Sequence, residues 1–417
     1  MAKIDIGAAN REALERLCRA RATWTGVRPA REALGLSGRT ILHAGPSIEW
    51  ERMCGPMRGG VVAGILHEEW AASPADALEL AASGEVAFLP CHARGAVGPM
   101  TGIISPSMPV LVVEDRANGT TAYSSINEGM GRTVRFGAHG PETIARLAWM
   151  RDVLAPALHA VVEREGGVDL TGLMGQALSM GDEMHMRNAA ATALLVRLLA
   201  ASLAGAVRNG AVLEETLRFL TRDNDQFFLN FAMAAAKAAA RSIEGIVGST
   251  VVSTMARNGA EFGIRVAGLG DRWFTAPAGV VDGLFFPGFS TADANPDIGD
   301  SAIMETYGLG AMAMAASPPV LKIVGARSFA DAIATTRRMA EICVGSNPGF
   351  SIGALDGEGT PTGIDIRKVV ESAVTPAMNT AIAHRDMAAA RMVGAGISTA
   401  PSGPFQDALA AFVETYS

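Results

Sequence analysis

The residues whose types and spacing could do chemistry fall in four short stretches. The densest is Asp293-Ala-Asn-Pro-Asp-Ile-Gly-Asp300, followed by Ser301. It packs three carboxylates and one carboxamide into eight residues. In a chain this apolar, oxygens at that density need solvent, hydrogen bonds or something to coordinate. Pro296 stiffens the stretch, Gly299 frees it, and the Ser-Ala-Ile-Met-Glu-Thr that follows reads as the opening of a helix. Asp300 or Ser301 would cap that helix, and its free N–H groups could hold an anion. A calcium loop does not fit, because Gly299 falls one place late and Glu305 falls one residue beyond the distal ligand position.

The second stretch is Gly181-Asp182-Glu183-Met184-His185-Met186-Arg187-Asn188. Asp182 is expected to cap a helix, with Glu183 and His185 in its first turn. His185 could then act as acid and base, with Asp182 as its orienter. The plain structural alternative is a cap plus a Glu183–Arg187 pair, worth a few tenths of a kcal/mol. The third stretch runs from Cys91 and His92 through Arg94, Gly98 and Pro99 to Gly102. It is a Gly/Pro-rich loop after a strand, where His92 and Arg94 could meet an anion or where the chain simply turns. The fourth, Asn127-Glu128-Gly-Met-Gly-Arg132, also follows a strand and ends in a cation. Arg257-Asn258-Gly259 reads first as a hairpin turn. Asp223-Asn224-Asp225 caps the helix that carries Phe227, Phe228 and Asn230, and Cys54 reads as packing.

Other motifs are absent or misplaced. Gly308-Leu-Gly310-Ala-Met-Ala313 has dinucleotide-loop spacing but lies in a helical run, not after a strand. There is no phosphate loop ending in Lys-Ser/Thr, no Gly-x-Ser-x-Gly elbow and no His-Glu-x-x-His pair.

The elements that must position these residues come from a chain of 417 residues, 49% hydrophobic and 18% charged, with net charge −7. That composition suits a well-buried enzyme-like protein of about three domains. The acidic balance, with no run of Lys/Arg among aromatics, argues against nucleic acid as a partner. No secretory leader is evident, and the run at 188–204, broken by Asn188 and Arg197, reads as too short to cross a bilayer. Four scattered cysteines point to reduced thiols and a cytoplasmic protein. The pattern predicts an α+β, multidomain chain with a mainly helical middle. An α/β part covers 1–140, helices cover 141–245, and a second α+β part covers 246–417. Strands are expected at 85–90, 108–114, 120–126, 249–256 and 261–267. Helices are expected at 10–20, twice within 53–82, and at 170–179, 183–207, 211–221, 226–241, 301–316 and 328–344.

Seven segments taken together carry more than any one of them. They are HAGPSIEWERMCGPMRGG (43–60), GAVGPMTGIISPSMPV (95–110), NEGMGRTVRFGAH (127–139), MGDEMHMRN (180–188), FFLNFAMAAAKAA (227–239), RNGAEFGIRVAGLGDRWF (257–274) and DANPDIGDSAIMET (293–306). In this order they resemble the YlbE-like family, domain of unknown function 1116, over nearly the whole chain. The resemblance implies an α+β fold with a small helical domain and an FdrA-like protein as partner. It also implies kinship to a subunit of oxamate carbamoyltransferase of anaerobic allantoin degradation, a part of purine catabolism. That enzyme splits oxalurate with phosphate into oxamate and carbamoyl phosphate.

On that footing, His185 with Asp182 and Glu183 would do the proton chemistry. His92, Arg94, Gly98 and Ser301 would cradle anionic groups, and Asn127 and Asn295 would hold a planar amide. Glu128, Arg187, Asn188 and Asn258 are further candidate contacts. Asp293, Asp297 and Asp300 would orient these donors or bind Mg2+. Two other functions stay open: a non-catalytic subunit that organises its FdrA-like partner, or a Mg2+-dependent amide hydrolase or ligase. A homo-oligomer is expected from the apolar composition.

Overall fold

The computed structural model describes residues 4–325 and 328–416. Its largest sheet has five strands in the order Ala96–Val97, Thr120–Ser125, Pro109–Asp115, Ala22–Pro29, Val168–Asp169. The first pair is parallel and the rest are antiparallel. Helix Leu229–Arg241 lies on this sheet and is buried at every residue from Leu229 to Ala240. Its run of alanines lets the helix approach the strands closely, so the interior fills without voids. The core beneath it runs from Ala9 through Trp24, Leu158, Leu195 and Phe231 to Phe350, so all three sequence segments contribute to one buried cluster.

Strand Ala22–Pro29 is not among the expected elements. It is buried on both faces through Val27, apart from half-buried Thr25, so it lacks the alternation by which a half-exposed strand is recognised.

Four smaller sheets complete an α+β fold of the expected class. One orders Phe274–Pro277, Glu261–Val266, Val252–Asn258 and Ile298–Gly299. Its hairpin turns at Asn258-Gly259, as the sequence predicts, with Gly259 at φ 82°. Another orders Asp282–Phe285, Met392–Thr399 and Ala377–Ala383. Cys343–Ile352 pairs with Glu358–Ile364, and Thr40–His43 pairs in parallel with Ala87–Pro90.

Two expected elements differ. The helix over 183–207 starts only at Ala189, because residues 183–188 fold as a loop around the Glu183 carboxylate. The helix over 301–316 is instead the short turns Asp300–Ala302, Ile303–Thr306 and Gly310–Ala316. Gly308 and Gly310, at φ 87° and 60°, break it. Helix Ala189–Ala206 is 18 residues long, with mean hydropathy 1.7, enough by length and composition to cross a bilayer. One of its faces, through Leu195, Leu199 and Leu203, lies in the main core.

Candidate functional site

The loop at 182–188 is built around two acids. Glu183 gathers the backbone N–H groups of His185 (2.7 Å), Met186 (2.7 Å) and Arg187 (2.9 Å) onto its carboxylate. Burial pushes Glu183 up to about 7, against the pull of His185 and of those three N–H groups. Asp182 accepts from the Ala191 N–H (2.8 Å) near the start of helix Ala189–Ala206 and pairs with the Arg187 guanidinium. Burial raises its pKa, opposed by those same partners. Met184 holds φ 63°, a left-handed conformation that is strained for a residue with a side chain.

His185 is buried, and its Nδ1 lies 2.8 Å from Glu305 Oε1. Its orienter is therefore Glu305, 120 residues away, and not Asp182, whose oxygens are occupied by Arg187 and Ala191. A carboxylate only accepts, so Nδ1 carries the proton and Nε2 presents its lone pair. Nε2 bonds to no described residue and, unlike Glu305 Oε2, is not fully enclosed. Glu305 Oε1 also accepts from Ala311 N (3.1 Å) and Asn379 N (3.3 Å). A Cβ at position 310 would stand 2.1 Å from that oxygen, so glycine is required there.

The Asn127–Arg135 segment joins this loop through Gln226. Gln226 donates to the Met186 carbonyl (3.3 Å) and accepts from Arg135 Nη1 (3.2 Å). Glu128 accepts from Val134 N (2.6 Å) and Arg135 N (3.2 Å), and burial raises its pKa against the nearby Arg135 charge. Burial lowers Arg135 to about 10, with Glu128 opposing. Asn127 donates to Asn230 and accepts from the Gly129 N–H. Arg135, Gln226, Glu305 and Asn379 are not among the residues the sequence singles out. Each bonds across the fold; Gln226 ends the polar run Asp223-Asn224-Asp225, which reads in sequence only as a helix cap, and Glu305 and Asn379 stand in no polar run.

The 293–301 stretch is arranged differently from its expectation. Asp297 forms a two-pronged pair with Arg257 (2.8 and 2.9 Å) and accepts from the Thr380 hydroxyl (3.1 Å). Asp300 accepts from Gly45 N (2.8 Å) and Gly98 N (3.0 Å). Asp293 caps the turn at Ser290, with its backbone N–H at 2.8 Å. The three carboxylates thus turn to separate partners and do not converge as a metal set. Among the described residues no group of three His, Cys, Asp or Glu side chains has metal-binding geometry.

The anion cradle expected around His92, Arg94, Gly98 and Ser301 is likewise filled from within. His92 Nε2 stands 3.3 Å from Asp300, out of line for a full hydrogen bond. Burial lowers its pKa while Asp300 opposes. The Gly98 N–H is taken by the same carboxylate, Arg94 is exposed, and Ser301 is buried. An internal carboxylate therefore sits where the external anion was expected. Asn258 donates to Pro46 O and accepts from Ala260 N and Glu261 N, a turn-forming role. Asn295 spends its amide on the Pro296 carbonyl (2.7 Å). Asn188 stays beside His185, donating to its carbonyl (3.3 Å) while its Oδ1 has no partner.

A family model described as oxamate carbamoyltransferase subunit AllG matches residues 86–301. The chain is 48% identical to the oxamate carbamoyltransferase subunit AllG of Escherichia coli K12, over 99% of this chain and 98% of that one. It is 43% identical to the uncharacterized protein YahG of the same organism, over 99% and 87%. A crystal structure of a conserved protein of unknown function from Enterococcus faecalis V583 superposes with TM-score 0.96. It is 42% identical and covers 99% of this chain and 98% of that one.

Proposed function

Because this chain belongs to the oxamate carbamoyltransferase subunit AllG family, we propose that it is the subunit whose His185 moves the proton in a carbamoyl transfer between phosphate and an oxamate-like amide. The observation that carries this reading is the buried His185–Glu305 pair, with Nδ1 held at 2.8 Å and Nε2 bonded to no described residue. An imidazole fixed by a carboxylate behind it has one tautomer and one direction of action.

The transfer itself balances around one proton. An oxygen of hydrogen phosphate attacks the terminal carbamoyl carbon of oxalurate. The bond from that carbon to the oxamate nitrogen breaks, and the phosphate proton ends on that nitrogen. The products are oxamate and carbamoyl phosphate. His185 Nε2 would take the proton from phosphate and deliver it to the leaving nitrogen, while Glu305 steadies the imidazolium in between. Partner subunits, an FdrA-like protein among them, would complete the enzyme.

The test is phosphorolysis of oxalurate by the assembled enzyme. His185→Ala is expected to lower kcat by about 10²- to 10⁴-fold, with the assembly intact by size-exclusion chromatography. Near-wild-type turnover would overturn the reading and leave this chain as an organiser of its partner.

A further inference from the structure

Beside His185, two fully buried side chains carry hydrogen-bonding capacity that no described residue uses. Glu305 Oε1 accepts from three N–H groups, yet Oε2 accepts from none. Asn379, with no exposed surface, leaves both Oδ1 and Nδ2 unpaired. It is neither a cap nor a turn residue, since it sits in mid-strand within Ala377–Ala383, opposite Ile397.

Side chains alternate along a strand, so Asn379 shares its face with Ala381. Ala381 packs against the cluster of Met186 and Met314 and also against that of Met57 and Ala383. Thr380 faces the other way, to Arg257 and Asp297. The Asn379 backbone N–H donates to Glu305 Oε1 at 3.3 Å, which ties the two residues directly together. A buried donor or acceptor left unmade is destabilising. Three such atoms belong to these two residues, and a Val or Ile would serve the strand position of Asn379 better.

We infer that Asn379 and Glu305 Oε2 read the primary carboxamide group of the ligand. A side-chain amide offers a donor beside an acceptor, so its planar complement offers an acceptor beside a donor, as a primary carboxamide does. Asn379 Nδ2 donates to the ligand carbonyl, and Asn379 Oδ1 and Glu305 Oε2 accept the two N–H groups of its amide nitrogen. A carboxylate in the same place would set oxygen against oxygen at both acceptors. The ligand class is thus a primary carboxamide, and dicarboxylates of the same shape are rejected. Both side chains are enclosed, so the ligand enters with movement of the 183–188 loop. This inference rests on the transfer site proposed above and adds what that site recognises.

Isothermal titration of the assembled enzyme with oxamate and with oxalate, which differ only in an amide nitrogen against a carboxylate oxygen, tests it. The wild type is expected to bind oxamate at least about 100-fold more tightly, as sites built to bond a polar group reject its mismatch. Asn379→Leu, which removes both polar atoms at nearly the same volume, should lose most of that preference and raise KM for oxamate in the carbamoyl phosphate direction. Equal affinity for the two acids, no oxamate binding, or unchanged preference in Asn379→Leu would overturn it. If Asn379→Leu does not assemble, the wild-type comparison decides alone. The two proposals separate cleanly, since His185→Ala reads out in kcat with oxamate affinity kept. Preference for oxamate alongside an active His185→Ala enzyme sinks only the transfer reading. Lost preference alongside an inactive one sinks only the amide site.

Discussion

Two buried carboxylates hang on successive residues of one strand, and they do opposite things. On the Thr380 side, Asp297 meets Arg257 with both oxygens, and the guanidinium spends Nε, Nη1 and Nη2 on Asp297, the Gly299 carbonyl and the Thr380 hydroxyl. On the Asn379 side, Glu305 uses one oxygen, while its other oxygen and both polar atoms of the Asn379 amide meet no partner among the described residues. Both clusters are polar, buried and spread across the fold. The saturated one has no capacity left for a ligand, so its role is to join the strands Val252–Asn258, Ile298–Gly299 and Ala377–Ala383. The unsaturated one keeps hydrogen-bonding capacity that no described residue fills.

The comparison breaks most readily at Arg257. Removing one member of a buried, hydrogen-bonded ion pair strands the other charge, which costs about 3–5 kcal/mol. Arg257→Ala should therefore lose stability on that scale in urea unfolding of the isolated chain. His185→Ala should lose far less, because Glu305 Oε1 keeps the Ala311 and Asn379 N–H donors. Equal losses in the two variants would erase the distinction between a structural pair and a site.

A somewhat smaller effect sharpens the site side of the comparison. Glu183 titrates at about 7 in the fold against an ordinary value of 4.5, raised by burial. A folded pKa above the unfolded one means the stabilising contribution is complete below about 4.5 and disappears as pH rises through about 7. The difference between the two values corresponds to about 3 kcal/mol. Unfolding measured at pH 4.5 and pH 8 should show the wild type losing about that much more than Glu183→Gln, whose neutral amide oxygen can still accept from the loop. Parallel profiles for the two would show that Glu183 is not the titrating group.

How much of this was legible in the sequence follows the range of each interaction. The Asn258-Gly259 hairpin and the helices Leu170–Ser179, Leu229–Arg241 and Phe329–Glu341 are local patterns, and each lies where periodicity and turn chemistry put it, to within a few residues. The loop at 182–188 stood out because its acids are consecutive, but its key partner was hidden. Glu305 sits in Ile-Met-Glu-Thr, which carries no mark of a site, and it reaches His185 across 120 residues. Asp300 finds the Gly45 N–H across 255 residues, a distance at which no spacing rule operates. Carboxylate density at 293–300 signalled oxygens in need of solvent, hydrogen bonds or a metal, and the structure supplies hydrogen bonds to all three carboxylates. The density did not say that the partners would be Arg257 and backbone N–H groups within the protein.

The smallest effect is expected at Asp293, and it tests the whole contrast from its weakest point. Asp293 belongs to the same acidic run as Asp297 and Asp300, yet among the described residues its carboxylate bonds only to Ser290 in a turn at the surface, with His384 3.8 Å away. The Ser290 N–H and hydroxyl hold its pKa below the usual carboxylate range. If the three carboxylates acted together on a metal, Asp293→Asn would weaken Mg2+ dependence as strongly as a change at Asp297. If each serves its own partner, Asp293→Asn leaves oxalurate phosphorolysis and its response to Mg2+ and chelator unchanged. Titrating Mg2+ into both enzymes decides between these, and a shifted Mg2+ optimum in the variant would restore the metal set. Identical curves would confine the run's importance to the two acids that are buried, one tied to Arg257 and one to the Gly45 and Gly98 amides. Carboxylates adjacent in sequence would then share composition but no function.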